Sequence, residues 1–349
     1  MAEATFDNPL RTRGFAFVEF SAPHDGALAQ LFTAMGFTLT HRHRQYALSI
    51  YQQNEIIFLV NQTPNSFASQ FTEKHGPCAA SMGFLVENAP EAYQKALQAD
   101  AKPYQGHEGE SQLTFPAIYG IGDSLLYFVD NTSLKAYLTK EFIELSPPSN
   151  DCDLETLDHL THNVYQGNMT PWAQYYERLF NFREIRYFDI TGKQTGLFSR
   201  ALTSPCGKIR IPLNESKDDK SQIAEYLRSY RGEGIQHIAL STSNIYETVE
   251  RLRAQGISFL TIPETYYELL DQRIPNHEED KQRMAKNRIL IDNDHERPNA
   301  LLLQIFTENV IGPIFFEIIQ RKGNEGFGEG NFQALFESME LDQVRRGVL

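Results

Sequence analysis

Strand-like and helix-like runs of apolar residues follow one another in a repeated order along this chain. Residues 15–20 (FAFVEF) read as a strand and 27–35 (ALAQLFTAM) as a helix ended by Gly36. The second half answers with a strand at 157–165 (LDHLTHNVY) and a helix at 171–180 (PWAQYYERLF), proline near its start. A further pair matches more closely. Residues 81–87 (SMGFLVE) precede a helix at 91–98, and 235–241 (IQHIALS) precede one at 245–254. Both halves close on buried-strand compositions, 124–129 (SLLYFV) in the first, 300–306 (ALLLQIF) and 314–319 (IFFEII) in the second.

Strand then amphipathic helix thus occurs twice per half, the mark of an internal duplication. Between the halves, 144–153 (ELSPPSNDCD) combines two prolines with polar turn formers and reads as a linker. The expected fold is α+β: four βαβββ-like units paired into two half-open β-barrels, with domains at 1–148 and 149–349. A C-terminal helix should follow, since Phe332, Leu335, Phe336 and Met339 fall on one helical face. Just before it, 323–330 (GNEGFGEG) carries four glycines and reads as a mobile hinge with Phe327 in its middle. It is no phosphate cradle, because no Lys-Ser or Lys-Thr follows.

Composition narrows the possible partners. The 349 residues are 41% apolar and 12% aromatic, enough for a substantial core and more than one domain. With 45 acidic against 32 basic side chains the net charge is −13, which repels phosphate backbones and anionic lipid headgroups. Neither nucleic acid nor membrane is expected as a partner. The first residues, MAEATFDNPLRTRG, contain no apolar leader core, and no later run is long enough to span a bilayer. Cys78, Cys152 and Cys206 form no CxxC pair and leave an odd thiol, which fits a reduced compartment. A cytoplasmic protein is expected, its cysteines ordinary small residues.

Candidate chemistry lies in the second half. On a strand at 157–165, Leu157, His159, Thr161 and Asn163 share one face, and Asp158, Leu160 and His162 the other. At most one of the two histidines is then a ligand. His237 interrupts an apolar strand, where a lone histidine is usually a satisfied core residue. Glu317 sits among Phe315, Phe316, Ile318 and Ile319, where an ionised carboxylate needs a cation or a strong hydrogen-bond partner. Arg321 and Lys322 would have to fold back from beyond the strand end to supply one. His159, His237 and Glu317 are 78 and 80 residues apart, which would put them on corresponding strands of successive units. Two imidazoles and one carboxylate form the facial triad of non-haem Fe(II) oxygenases, and zinc can use the same donors. The matching first-half strands carry Phe17, Val18, Glu19, Met82 and Gly83 and no histidine, so that half should be metal-free scaffold.

Across nearly its whole length the chain resembles the 4-hydroxyphenylpyruvate dioxygenases of the vicinal-oxygen-chelate superfamily, including pigment-forming bacterial members. The resemblance is carried by GFAFVEF, LDHLTHNV, GLFSRAL, IPLNE, GIQHIAL, LLLQIF, FFEIIQR and GFGEGNFQALFESME, in that order. It implies that His159, His237 and Glu317 bind Fe(II), and that O2 and 4-hydroxyphenylpyruvate yield homogentisate and CO2. By motif position it makes Ser199, Asn214 and Gln236 polar groups at the reacting centre, with Gln222 and Gln304 also orienting substrate. Phe306, Phe327 and Phe332 would wall the substrate ring, and the helix after Asn331 would gate the pocket. A homo-oligomer is also implied. Hydroxymandelate synthase, which shares triad and substrate but hydroxylates the benzylic carbon, is the nearest rival, and a metal-free binding protein of the same fold is a second.

Overall fold

The computed structural model describes residues 6–23, 26–106, 113–148, 150–191, 196–294, 297–331 and 334–335. Phe332, Phe336 and Met339, and with them most of the expected gating helix, lie outside the described residues.

Each half is built on one eight-stranded mixed sheet. The first contains β1 (Thr12–Ser21), α1 (Ala27–Ala34), β2 (Thr38–His43), β3 (Leu48–Gln53), β4 (Ile56–Asn61), α2 (Phe67–His75), β5 (Cys78–Val86), α3 (Ala89–Gln98), β6 (Ala117–Tyr119), β7 (Leu125–Val129), α4 (Asn131–Glu141) and β8 (Phe142–Glu144). The second contains β9 (Leu157–Val164), α5 (Met169–Phe180), β10 (Arg183–Thr191), β11 (Gly196–Thr203), β12 (Arg210–Ser216), α6 (Gln222–Tyr230), β13 (Gly234–Ser241), α7 (Ile245–Ala254), α8 (Glu264–Glu268), α9 (Leu270–Arg273), α10 (Lys281–Asn287), β14 (Leu290–Asn293), β15 (Leu301–Phe306) and β16 (Phe315–Lys322).

The strand orders, β6-β7-β5-β1-β4-β3-β2-β8 and β10-β11-β12-β9-β13-β16-β15-β14, confirm the α+β duplication. In both halves the opening strand pairs parallel with the last strand of its own unit and antiparallel with the first strand of the next. Three units follow βαβββ. The second departs from it, because its last strand, β8, crosses to the far edge and pairs with β2.

The halves do not have separate cores. One apolar cluster runs through both, and Phe316 of β16 lies 5.9 Å from Phe58 and 6.5 Å from Phe20, centroid to centroid. Phe84 likewise meets Phe180 edge-on at 5.3 Å. A second, smaller cluster fills the first half alone, including Phe17, Phe115, Tyr127, Tyr137 and Phe142. Phe17 is paired with Gly83, whose missing Cβ makes room for the ring: a Cβ there would stand 2.8 Å from Phe17 Cε1. Packed rings thus occupy the first sheet's interior, whereas the second sheet encloses a cavity.

Candidate metal centre and cavity

Three strands bring the triad together. β13 lies between β9 and β16, and Ala239 on β13 is paired with His159 on one side and Glu317 on the other. His237 is two residues back on the same strand, hence on the same face. His159 and Glu317 are therefore two strand spacings apart, roughly 10 Å at Cα, and only long side chains rising over the small Ala239 can meet. They do: His159 Nε2 is 3.2 Å and His237 Nε2 3.4 Å from Glu317 Oε2. The convergence has a different origin from the one the spacing suggested. β9 and β13 do open successive units, but β16 closes the last unit, and its parallel pairing with β13 delivers Glu317.

Both imidazoles are oriented by the residue just before them. His159 Nδ1 donates to Asp158 Oδ1 at 2.8 Å and His237 Nδ1 to Gln236 Oε1 at 2.9 Å. Strict alternation would put such neighbours on opposite faces. The β9–β13 ladder, however, slips once at Asp158 and once at Gln236, each an extra residue opposite none. Each slip is a β-bulge, which re-aims a side chain. With Nδ1–H committed on both rings, both Nε2 lone pairs and the Glu317 carboxylate face one point. The three donor atoms lie within 4.8 Å of one another, and ligands at about 2.1 Å from a common ion stand roughly 3 Å apart in cis. Three electron-rich groups with no proton to share call for a cation, so this donor set fits a divalent metal.

The electrostatics agree. Burial works against charge on His159, but the Glu317 and Asp158 carboxylates outweigh it and raise its pKa, a proton serving where a cation is wanted. For His237 burial prevails and the pKa falls. Burial pushes Glu317 up, yet the two imidazoles hold it down at about 2. Gln304 Nε2 donates to its other oxygen at 3.1 Å. Arg321 and Lys322 are not its partners: β16 runs on through both, placing Arg321 on Asp158 and Lys322 on Glu279 at 2.5 Å.

Beside the triad lies a cleft that opens to solvent at its mouth and brings polar and aromatic side chains up to the three ligand residues. Its walls follow the two-residue period of the strands: Thr161 beyond His159, Leu197 and Ser199 on β11, Pro212 and Asn214 on β12, Gln304 and Phe306 on β15. Phe188 of β10 and Phe327 complete the apolar lining. Thr161, Phe188, Leu197, Pro212 and Glu329 also line it, and none of these five is a site residue that the sequence singles out. Alternation from Ser199, Asn214 and His159 finds all but Phe188 and Glu329.

Two expected pocket residues are placed elsewhere. Gln222 is exposed at the first position of α6 and does not reach the cavity. Gln236 does not face the ligand space, because the bulge turns its amide onto His237. Gln304 lines the cavity with both ends of its amide engaged, by Glu317 and by Asn331 Nδ2, which donates to Oε1 at 2.9 Å. The glycine loop is tied down where a free hinge was expected: Arg321 Nη1 donates to the carbonyls of Asn324 and Gly326, and Gly330 N to Asp292. Among the described residues no helix is long and apolar enough to cross a membrane.

Comparison with known proteins places this geometry. Residues 6–140 match the family model described as hydroxyphenylpyruvate dioxygenase, N-terminal, and 156–273 that of the glyoxalase/bleomycin resistance protein/dioxygenase superfamily. A 4-hydroxyphenylpyruvate dioxygenase of Pseudomonas aeruginosa is 53% identical over 348 residues, covering 98% of this chain and 97% of that protein. Hemolysin VllY of Vibrio vulnificus is also 53% identical, covering 98% of each chain. Among solved structures, a xylose isomerase-like TIM barrel/4-hydroxyphenylpyruvate dioxygenase fusion protein superposes with a TM-score of 0.81 at 30% identity, over 96% of this chain and 54% of that one.

Proposed function

This chain belongs to the 4-hydroxyphenylpyruvate dioxygenase family, and from that membership we propose that it uses O2 to convert 4-hydroxyphenylpyruvate to homogentisate and CO2. The carrying observation is the convergence of His159 Nε2, His237 Nε2 and a Glu317 oxygen beside a cleft lined by Ser199, Asn214, Phe306 and Phe327. On this reading the three side chains hold one Fe(II) per subunit. When bound, the iron supplies the coordination sites and redox chemistry for the oxo acid and O2.

The protein's own groups bind, orient and exclude. Asp158 and Gln236 keep the proton on each Nδ1, so each Nε2 lone pair is free for the metal. Phe306 and Phe327 flank the substrate ring, and with Phe188 and Leu197 they keep water from the reacting carbon atoms. The Ser199 hydroxyl and Asn214 amide, paired across β11 and β12, supply hydrogen bonds to the polar end of the substrate. No resident acid or base of shifted pKa is required beyond the triad. Two domains, 1–148 as scaffold and 149–349 as catalytic half, describe the division of labour. The site lies in the second, and packed rings fill the first. We place the enzyme in the cytoplasm as a homo-oligomer; the exposed Ile143 and Leu145 at the β8 edge favour self-association.

The test is to load purified protein with Fe(II) without air, add 4-hydroxyphenylpyruvate and then O2, and separate the aromatic products, with His237→Ala as control. Homogentisate from the unmodified chain only supports the reading. Hydroxymandelate would reassign the pocket, and a protein binding no stoichiometric iron would be a binding protein of this fold.

A further inference from the structure

The charged group behind His159 reaches further than one histidine needs. Asp158 is buried, and its carboxylate takes Arg321 in a two-pronged pair, Nη2 to Oδ1 and Nε to Oδ2, both at 2.8 Å. Oδ1 also accepts from His159 Nδ1. The remaining arm of the guanidinium, Nη1, donates to Asn324 O at 3.0 Å and Gly326 O at 2.7 Å, in the loop that delivers Phe327. Its carbon lies 5.7 Å from the Phe327 ring centroid, and that ring meets His159 edge-on at 5.2 Å. His159, Asp158, Arg321 and Phe327 therefore close a circuit through the Arg321 guanidinium, and Arg210 adds a longer link from Asp158 Oδ2, at 3.4 Å, to Glu325 of the same loop, at 2.6 Å. On His237 the Nδ1 partner is a neutral amide, and the ring stacks on Phe315 at 5.0 Å, with no charged group behind it, among the described residues, of the kind Asp158 supplies.

Resting on the metal-site reading above, we propose that Asp158 and Arg321 are a positioning pair coupling the two halves of the site: they hold His159 for the metal and seat the Phe327 loop over the cavity. A buried ion pair is weak support for stability, since apolar replacements often do as well, whereas its directional geometry is hard to replace. Arginine is needed because a lysine cannot hold both carboxylate oxygens and two carbonyls in one plane. Metal binding should then tighten the loop, and loosening the loop should weaken the metal.

The experiment compares the unmodified chain with Asp158→Asn and Arg321→Lys, using Co(II) without air as the probe. It reads the dissociation constant, the visible Co(II) spectrum and hydrogen exchange of the amides of residues 323–330 with and without metal. Metal binding should weaken about 10- to 100-fold in both variants, as for other partners of metal-ligating histidines, with an altered Co(II) spectrum. Metal should slow exchange of the loop amides in the unmodified chain and not in Arg321→Lys. Should Asp158→Asn fail to fold, Arg321→Lys, which leaves Asp158 its counter-charge, carries the test alone. A variant with faster loop exchange but unchanged Co(II) affinity and spectrum would reduce the pair to a structural staple and overturn the proposal. If the unmodified chain itself binds no Co(II), it is the triad reading that fails.

Discussion

His159 and Glu317 meet, Nε2 to Oε2 at 3.2 Å, across an intervening strand on which Ala239 is paired with both. The room above Ala239 is thus as much a part of the site as the ligands. Ala239→Leu should lower metal affinity more than about 100-fold, beyond the usual effect of an outer partner, while overpacking costs about 1–3 kcal/mol of stability. A Co(II) titration alongside a denaturant melt separates the two effects.

Replacing a ligand acts more directly. Glu317→Gln and His237→Ala should leave no detectable homogentisate. Metal at about 100 times its dissociation constant should stabilise the unmodified chain by ~2.7 kcal/mol and neither variant. Thermal unfolding with and without Fe(II) or Co(II), and with a chelator as the reverse step, reads this out.

Ser199 and Asn214 are directly opposed on β11 and β12 and both line the cavity. Each alanine replacement should cost about 1 kcal/mol, near fivefold in kcat/KM. The double variant should lose less than the sum, because neighbours around one ligand group couple. Steady-state kinetics of the three variants decides it, and strict additivity would argue against a shared contact.

His162, on the opposite face of β9 from His159, contacts Leu160 O at 3.2 Å, and burial pushes its pKa down to about 4. A histidine kept neutral by folding takes up its proton first in the unfolded chain, whose pKa is near 6.5. Its stabilising contribution is complete above about pH 6.5 and is lost as pH falls from there towards 4, by at most about 3 kcal/mol. Denaturant unfolding from pH 7.5 to 5 should show this slope, flattened in His162→Asn.

Much of the site was legible because its chemistry is written in residue types. A glutamate among phenylalanines and isoleucines calls for a cation or a strong hydrogen-bond partner, and the twofold alternation of β9 puts His159, not His162, on the cavity side. Gln236 shows where that logic stops. Its motif position suggested a substrate contact, but a single bulge, invisible to a strict period of two, turns its amide onto His237. Gln222 stands exposed outside the cavity, because the inward face of α6 is taken by Ile223, Tyr226 and Tyr230, and which face a helix buries is decided by what it packs against.

The sequence by itself determined the duplicated α+β plan, the two imidazoles and one carboxylate able to hold a metal, and the half that carries them. Each depends on local period or on the chemistry of single residues. Only the tertiary structure decided that β16 lies against β13, that Asp158 and Gln236 bulge beneath the two histidines, and that Arg321 reaches Asp158 instead of Glu317. Those relations depend on strand order and ladder slippage. The packing of the whole sheet fixes both, and no single segment encodes either.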